Sequence, residues 1–267
     1  MSSNRSASEG RLLVDEPAPG VARLTISNPT KRGALDHAIL DSFAETLPRL
    51  DARCLMVTGE GSIFSAGYNI GDLPGGVFAD EAEKLVAHPF AAAIDALDAY
   101  PYPTLAAING HAIGGGLELA LACDLRIASS AMAFVMPPAK LGLVYSHTGL
   151  RKFIEVIGAA RTRELFLLAR RVDSATAREW GLVNEVADPS DLAERALALA
   201  SELAAGAPLA QSGNKRVISA VAEAQGRLEP ELERELIELR RACFDSEDFQ
   251  EGVRAFAEKR EAKWTGG

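Results

Sequence analysis

The chain has 267 residues, of which 48% are apolar, enough to bury a core as one large domain or as a domain with a smaller appendage. Its 28 Lys and Arg against 37 Asp and Glu leave a net charge of −9, which speaks against a nucleic-acid or anionic-membrane surface but excludes no small anionic ligand. Cys54, Cys123 and Cys243 are odd in number, far apart and set in apolar or helical segments, so neither a disulfide framework nor a zinc site is expected, and a reducing cytoplasm fits best.

The polar start MSSNRSASEG lacks an apolar signal region, and residues 1–10 read as a loose leader. RLLVDEP and VARLTIS, joined at Ala18-Pro19-Gly20, read as a strand hairpin. A helix over about 36–50, the strand CLMVTG and the glycine-broken loop GEGSIFSAGYNIGDLPGG follow. A long helix over about 80–99 stops ahead of Pro101 and Pro103, and the strand TLAAIN comes next. DLRIAS, AFVM and LVNEVA read as further short strands, with helices at 149–169 and 174–180. Strands alternating with helices predict an α/β fold with a largely parallel sheet. After about Asp188 the pattern changes to four helices, 189–205, 208–224, 230–244 and 247–262, with breaks at Pro189, Pro208 and Pro230. The chain therefore divides into a leader at 1–10, an α/β core at 11–188 and a C-terminal helical region at 189–267. The last two helices keep apolar residues on one face and should pack on the core or on a neighbouring subunit. No stretch is an apolar run long enough to span a bilayer.

Two loops concentrate the chemistry. In LAAINGHAIGGGLELALACDLR a strand runs into Gly114-Gly115-Gly116 and out into an amphipathic helix carrying Glu118. The first N–H groups of a helix lack intrahelical partners and sit at the positive end of its dipole, and glycines let a ligand approach the backbone. Such a segment suits a phosphate, a carboxylate or an oxyanion formed during reaction. Glu118, in the first turn, sets an acid or base beside the bound group; taken alone it reads as a solvated carboxylate complementing the dipole, and the glycines alone are accounted for equally well by close helix-to-strand packing. In the earlier loop, Gly59, Gly61 and Gly67 do not give the dinucleotide spacing, but Ser65-Ala66-Gly67-Tyr68-Asn69 lets the backbone turn sharply and aim an N–H into a cleft. His111 and His147 read as structural histidines and Cys123 as core. No metal-ligand spacing is present.

Together SAGYN and NGHAIGGGLELALACDLRIAS resemble the crotonase superfamily, also called the enoyl-CoA hydratase/isomerase family, and the likeness runs from about Arg11 to Trp264. KRGALD resembles that family's segment for the CoA adenine and phosphates, FSAGYNI its first oxyanion loop and FAEKREAKW its closing helix. The resemblance implies a crotonase-like spiral of ββα units with a C-terminal helical region, assembled as a homotrimer or a dimer of trimers. It implies an acyl-CoA substrate, no metal, and no cofactor beyond the coenzyme A that enters as part of the substrate; no nucleic acid or membrane partner is implied. The shared chemistry is stabilisation of a CoA-thioester enolate by two backbone N–H groups, which by motif match belong to Tyr68 and Gly115. The same matching sets Arg32, Ala34, Ala66, Asn69 and Ile70 around the CoA nucleotide and brings Phe256 and Lys259 to it from the last helix, of the same or another subunit.

One departure from the family pattern bears on the reaction. Family hydratases flank a water with two glutamates; the first falls on Glu118 and the second on Pro138, which offers no titratable group unless a carboxylate such as Glu81 or Glu83 reaches that space. FSAGYNIGDLPGG, PPAKLGLVYS and RRACFDSEDFQEGVRAFAEKR resemble the family's methylmalonyl-CoA decarboxylase branch, which carries a tyrosine at the position of Tyr145 and a histidine at that of Tyr68. Decarboxylation needs no activated water. It needs the C–carboxylate bond held out of the thioester plane, an oxyanion hole for the enolate, and a later proton. Tyr145, with an ordinary pKa near ~10, is suited to orient that carboxylate through a hydrogen bond, the plainer alternative being a pocket-wall aromatic. An ionised Glu118 would repel the carboxylate, so it is expected protonated or turned elsewhere. The expected activity is an acyl-CoA lyase, with decarboxylation of a methylmalonyl-type ester as the specific reaction. The alternatives are a 2-enoyl-CoA hydratase or isomerase using Glu118, and a catalytically silent scaffold binding CoA or RNA, the latter opposed by the net charge.

Overall fold

The computed structural model describes residues 10–68 and 88–266. Its strands in chain order are β1 (Arg11–Ala18), β2 (Val21–Ser27), β3 (Cys54–Gly59), β4 (Ile63–Ser65), β5 (Thr104–Ile108), β6 (His111–Ile113), β7 (Leu125–Ser129), β8 (Ala133–Val135), β9 (Val172–Asp173) and β10 (Glu185–Ala187). The helices before the long C-terminal series are α1 (His37–Thr46), α2 (His88–Ala99), α3 (Gly115–Leu121), α4 (Pro138–Leu141), α5 (His147–Leu168) and α6 (Ser174–Trp180). The series itself comprises α7 (Leu192–Ala205), α8 (Pro208–Gln225), α9 (Pro230–Phe244) and α10 (Glu247–Glu258).

Six strands form the main sheet in the order β1-β2-β3-β5-β7-β10, antiparallel at the β1–β2 hairpin and parallel from β2 onward. The side-chain period of two sorts each central strand between two cores. Leu55 and Val57 of β3 and Ala106 and Ile108 of β5 face α1, whose Ile39, Leu40 and Phe43 are fully buried. Cys54 and Met56 of β3 and Leu105 and Ala107 of β5 face the other way, against Leu192, Ala196 and Ala200 of α7. Coverage on both faces is why CLMVTG and TLAAI read as unbroken apolar runs. It also places α7 against the sheet formed by the preceding part of the chain.

A second sheet has four strands in the order β4-β6-β8-β9, parallel except for β9. Each of its strands is two or three residues long, too short to show alternation, which is why β4, β6 and β9 are absent from the sequence reading. That sheet matters because β4 leads directly into SAGYN and β6 into the glycine run. Asn109 pins the neighbouring turns, accepting from Gly59 N at 3.0 Å and donating to the carbonyls of Gly59 and Gly61, each at 2.8 Å.

Several boundaries move from the sequence expectation. α1 ends at Thr46 and passes into a 3-10 turn, Leu47–Arg49, because Pro48 supplies no N–H to continue the helix. LVNEVA gives a strand only over Glu185–Ala187. The last helix stops at Glu258, where Lys259 takes a left-handed φ of 55° and caps it. Of the helix expected over 80–99, α2 begins at His88 and the rest falls outside the described residues, as do Asn69, Ile70, Glu81 and Glu83.

A carboxyl–phenol pair beside the glycine helix

SAGYN and the glycine run meet where the two sheets feed α3. Leu35 forms a parallel bridge with Tyr68, and the Leu35 N–H donates to Gly67 O at 2.8 Å. In a strand, neighbouring residues present their N–H groups to opposite sides, so this bond turns the Tyr68 N–H away from Leu35. Gly115 opens α3, and no carbonyl one turn earlier in the helix is available to its N–H. The two segments touch: a Cβ on Gly67 would lie 3.1 Å from Gly115 N, and one on Gly115 would lie 2.8 Å from Cε2 of Tyr68. Gly116 performs the close-packing role considered from sequence, since a Cβ there would meet Ser65 Cβ at 2.6 Å. The glycine run thus serves close packing and lets the start of α3 come against the Tyr68 loop.

Glu118 corrects the reading of a solvated carboxylate. It is 5% exposed, and Tyr145 donates a short hydrogen bond to its Oε2. Burial pushes the Glu118 carboxyl up to about 7, against the opposing pull of the Tyr145 hydroxyl and of the charges on Lys152 and Arg240. Tyr145 is itself held well above the ordinary phenol range, by burial first and then by the negative field of Glu118. Gly149 makes room for the pair, for a Cβ there would lie 2.7 Å from both Glu118 Oε1 and Tyr145 Cε1. Its own N–H donates to Ser146 Oγ at 3.1 Å, the N-cap of α5 that fixes where Tyr145 enters.

The loop bearing Tyr145 is held from both sides. Pro138 is buried at the start of α4, where its missing N–H costs the helix nothing, and its carbonyl accepts from Leu143 N at 3.0 Å. From α9, the Cys243 thiol donates to Gly142 O at 2.8 Å and accepts from Val144 N at 3.2 Å. Tyr145 packs edge-on to Phe166 with ring centroids 5.3 Å apart, and Tyr68 to Phe90 at 5.0 Å.

Tyr68, Glu118 and Tyr145 share the wall of one cavity of about 470 Å³ with Phe90, Arg240 and Phe249. Pro138 does not line it. The other carboxylates on its wall are Asp95 and Asp98 of α2, both exposed, with Asp98 tied to Lys152 at 2.6 Å. His147 also lines the cavity and contacts Glu233 at 3.2 Å, while His111 accepts from Ala133 N at 3.0 Å, a structural role. Cys123 is buried in the core. Among the described residues, no three His, Cys, Asp or Glu side chains gather as a metal site.

The residues assigned to the CoA nucleotide fall into two groups. Arg32, Ala34 and Ala66 lie together, since Ala66 N donates to Arg32 O at 3.2 Å and Asn28 holds the Ala34 carbonyl at 2.9 Å. Phe256, 68% exposed, and Lys259 sit at the end of α10 and line no part of the cavity. Sequence reasoning missed Gly149, Lys152 and Arg240, which reach the site from α5 and α9; nothing near them in the sequence marks them, because their neighbours are ordinary amphipathic helix.

Residues 16–267 match the family described as enoyl-CoA hydratase/isomerase. A Bacillus subtilis protein described as an enoyl-CoA hydratase/isomerase is 34% identical over 252 residues, covering 92% of this chain and 95% of its own. A carnitinyl-CoA dehydratase of Salmonella heidelberg is 32% identical over 257 residues, covering 92% and 95%. The structure of a methylmalonyl-CoA decarboxylase complexed with 2S-carboxypropyl-CoA superposes with a TM-score of 0.88 at 27% identity, over 97% of this chain and 100% of that one. An enoyl-CoA hydratase of Mycobacterium avium subsp. paratuberculosis gives 0.81 at 25% identity, over 95% and 98%. With two largely parallel sheets feeding a glycine-led helix, and a family match over nearly its whole length, the chain belongs to the enoyl-CoA hydratase/isomerase, or crotonase, family.

Proposed function

We propose that this protein is an acyl-CoA lyase that removes CO₂ from a methylmalonyl-type CoA ester. The observation that carries this reading is the pairing of buried Glu118 with Tyr145, on a cavity wall where Pro138 contributes no second carboxyl group. The thioester oxygen lies between the N–H groups of Tyr68 and Gly115. Breaking the C–carboxylate bond sends its electron pair into the thioester as an enolate, whose negative oxygen those two donors meet; removing one such donor costs about 2.7–4 kcal/mol of barrier in comparable sites. A buried carboxyl titrating near 7 is half neutral at that pH and mostly neutral a unit below it, and in its neutral form it does not repel an incoming carboxylate. Protonated Glu118 can donate to Tyr145 Oη, freeing the Tyr145 proton first to orient the substrate carboxylate and then, after CO₂ leaves, to reach the enolate carbon. Arg32, Ala34 and Ala66, with Asn69 and Ile70 beyond the described residues, take the CoA nucleotide; Phe256 and Lys259 reach it from a neighbouring copy.

A second reading is favoured by relatives named as hydratases and a dehydratase: addition of water to a 2-enoyl-CoA, with Glu118 as sole acid and base. The two separate in one experiment. Methylmalonyl-CoA, ethylmalonyl-CoA and crotonyl-CoA are each incubated with the protein and followed by product mass. Loss of CO₂ from the first or second is expected; efficient hydration of crotonyl-CoA without any decarboxylation would sink the preferred reaction.

The same reading includes assembly as a homotrimer or a dimer of trimers. Its support is the apolar side of α8, where Leu209, Val217, Ile218 and Val221 are 88%, 62%, 69% and 53% exposed. Light scattering should return a mass of three or six chains, and a monomer at micromolar concentration would exclude it.

A further inference from the structure

Fixing the backbone of the Tyr145 loop does not by itself aim the phenol, because the side chain can still turn about its own torsions. Two groups hold the ring where its hydroxyl meets Glu118 Oε2. Gly149 makes room for it by lacking a side chain, and Phe166 packs against it edge-on, with centroids 5.3 Å apart and an interplanar angle of 67°. Phe166 is buried and does not line the cavity, so a ligand bound there does not touch it.

A straight α5 could not bring Phe166 there. Phe153 and Phe166 both lie on this helix, and in an unbroken one they would stand about 20 Å apart along the axis. Their ring centroids are 4.9 Å apart, at an interplanar angle of 84°. The helix breaks at Gly158, whose φ of 74° and ψ of 162° fall where essentially only glycine goes. The second half of α5 therefore turns back toward the first and returns Phe166 to the Tyr145 end. Two side chains hold this arrangement: Thr162 Oγ1 donates to Gly158 O at 2.9 Å, and Lys140 Nζ, from α4, donates to Ala169 O at 3.0 Å. Gly158 is exposed and a Cβ there would meet nothing within 4 Å, so close packing at the glycine does not account for the break. Its result is the aromatic series Phe153, Phe166, Tyr145, which ends on the carboxyl of Glu118.

We propose that Phe166, returned to the start of its own helix by the break at Gly158, is a positioning residue that holds the Tyr145 hydroxyl on Glu118. The assignment rests on the reading of the Glu118–Tyr145 pair as the reacting end of an acyl-CoA site, and not on which reaction occurs there. Besides Tyr145, the groups whose charges bear on the Glu118 carboxyl are Lys152 of α5, Arg240 of α9 and Asp98 of α2. Replacing Phe166 by another apolar residue changes none of these charges. The direction of any change in the ionisation of Glu118 then tells two effects apart. Looser packing that let water reach the carboxyl would lower its pKa, whereas a phenol that slips from the charged form raises it.

An NMR titration of the Glu118 side-chain carboxyl tests this without any turnover. The protein is isotopically labelled at that carbon of glutamate, and the signal is assigned by its loss in Glu118→Gln. Phe166→Leu should raise the midpoint by about half a pH unit, toward that of Tyr145→Phe. In the Tyr145→Phe background the same substitution should leave the midpoint where it is. With an acyl-CoA that the protein turns over, Phe166→Leu should lower kcat about tenfold and change KM by less than about twofold. Should Phe166→Leu fail to fold, Phe166→Met gives the same readings. A midpoint unmoved or lowered by the substitution, or raised equally with and without the Tyr145 hydroxyl, would overturn the assignment. The titration stands apart from the decarboxylase reading. A raised midpoint without CO₂ release keeps Phe166 and removes the reaction; CO₂ release with an unmoved midpoint does the reverse.

Discussion

Gly67→Ala is expected to lower turnover about 10²- to 10³-fold, whereas Gly61→Ala leaves it unchanged. Both glycines hold positive φ, 78° and 71°, so an alanine at either carries the same left-handed penalty of about 1–2 kcal/mol. What the added methyl meets is different. At Gly61 nothing lies within 4 Å, while at Gly67 it would stand 2.5 Å from Ile113 O and 3.1 Å from Gly115 N. No carbon sits 2.5 Å from a carbonyl oxygen, so the end of β6 and the start of α3 must retreat from the Tyr68 loop. That retreat separates the two N–H groups assigned to the thioester oxygen, and a misplacement of about 1 Å in such a site is enough for a 10²-fold loss. Steady-state kinetics alongside melting curves separate the effects: a left-handed penalty on stability in both, a further loss from the backbone clash at Gly67, and a turnover loss confined to Gly67→Ala. Equal turnover in the two variants would remove the Tyr68–Gly115 pair from the mechanism.

Tyr145→Phe should slow decarboxylation by about 10²-fold and shift the pH at which activity falls. Activity is expected to need protonated Glu118, so it declines as pH rises through about 7. The Tyr145 hydroxyl lowers the Glu118 pKa by bonding its charged form, so losing that hydroxyl moves the midpoint upward. Glu118→Gln should flatten the response, since its amide is neutral throughout. The same titration reaches stability. A carboxyl raised from 4.5 to about 7 by burial favours the fold fully below 4.5, and that contribution is lost as pH rises through about 7. At 1.36 kcal/mol per pKa unit the loss is about 3 kcal/mol. Denaturant unfolding at pH 5 and pH 8 should therefore show a smaller pH penalty in Glu118→Gln than in the native protein. Matching pH dependence in both would mean that the buried carboxyl is not the group responsible.

The parts of the fold legible in the sequence are those whose residues carry a pattern longer than one turn or one alternation. CLMVTG and TLAAIN announce themselves as doubly covered strands, and the four closing helices by their prolines and apolar stripes. The second sheet is illegible for the opposite reason: a strand such as Ile63–Ser65 is placed by its partners rather than by its own composition. At the site, Tyr68, Gly115, Glu118 and Tyr145 follow from glycine spacing and family likeness, and three of the four line one cavity. The burial of Glu118 does not follow, because first-turn acids are ordinarily wet; it comes from Gly149 and the Tyr145 loop, farther along the chain. Arg240 is illegible altogether, as one arginine among several on a charged helix.

The clasp of the Cys243 thiol on Gly142 and Val144 joins positions 101 and 99 residues apart. It sets an order of assembly during synthesis. Both sheets and the glycine helix can emerge and fold while α9 and α10 are still inside the ribosome, since their strands all precede residue 188. The wall supplied by Arg240, Phe244 and Phe249 is added only afterwards. A nascent chain with a finished core therefore holds the Glu118–Tyr145 pair in a cavity that still lacks one wall, and the last segments to arrive complete it.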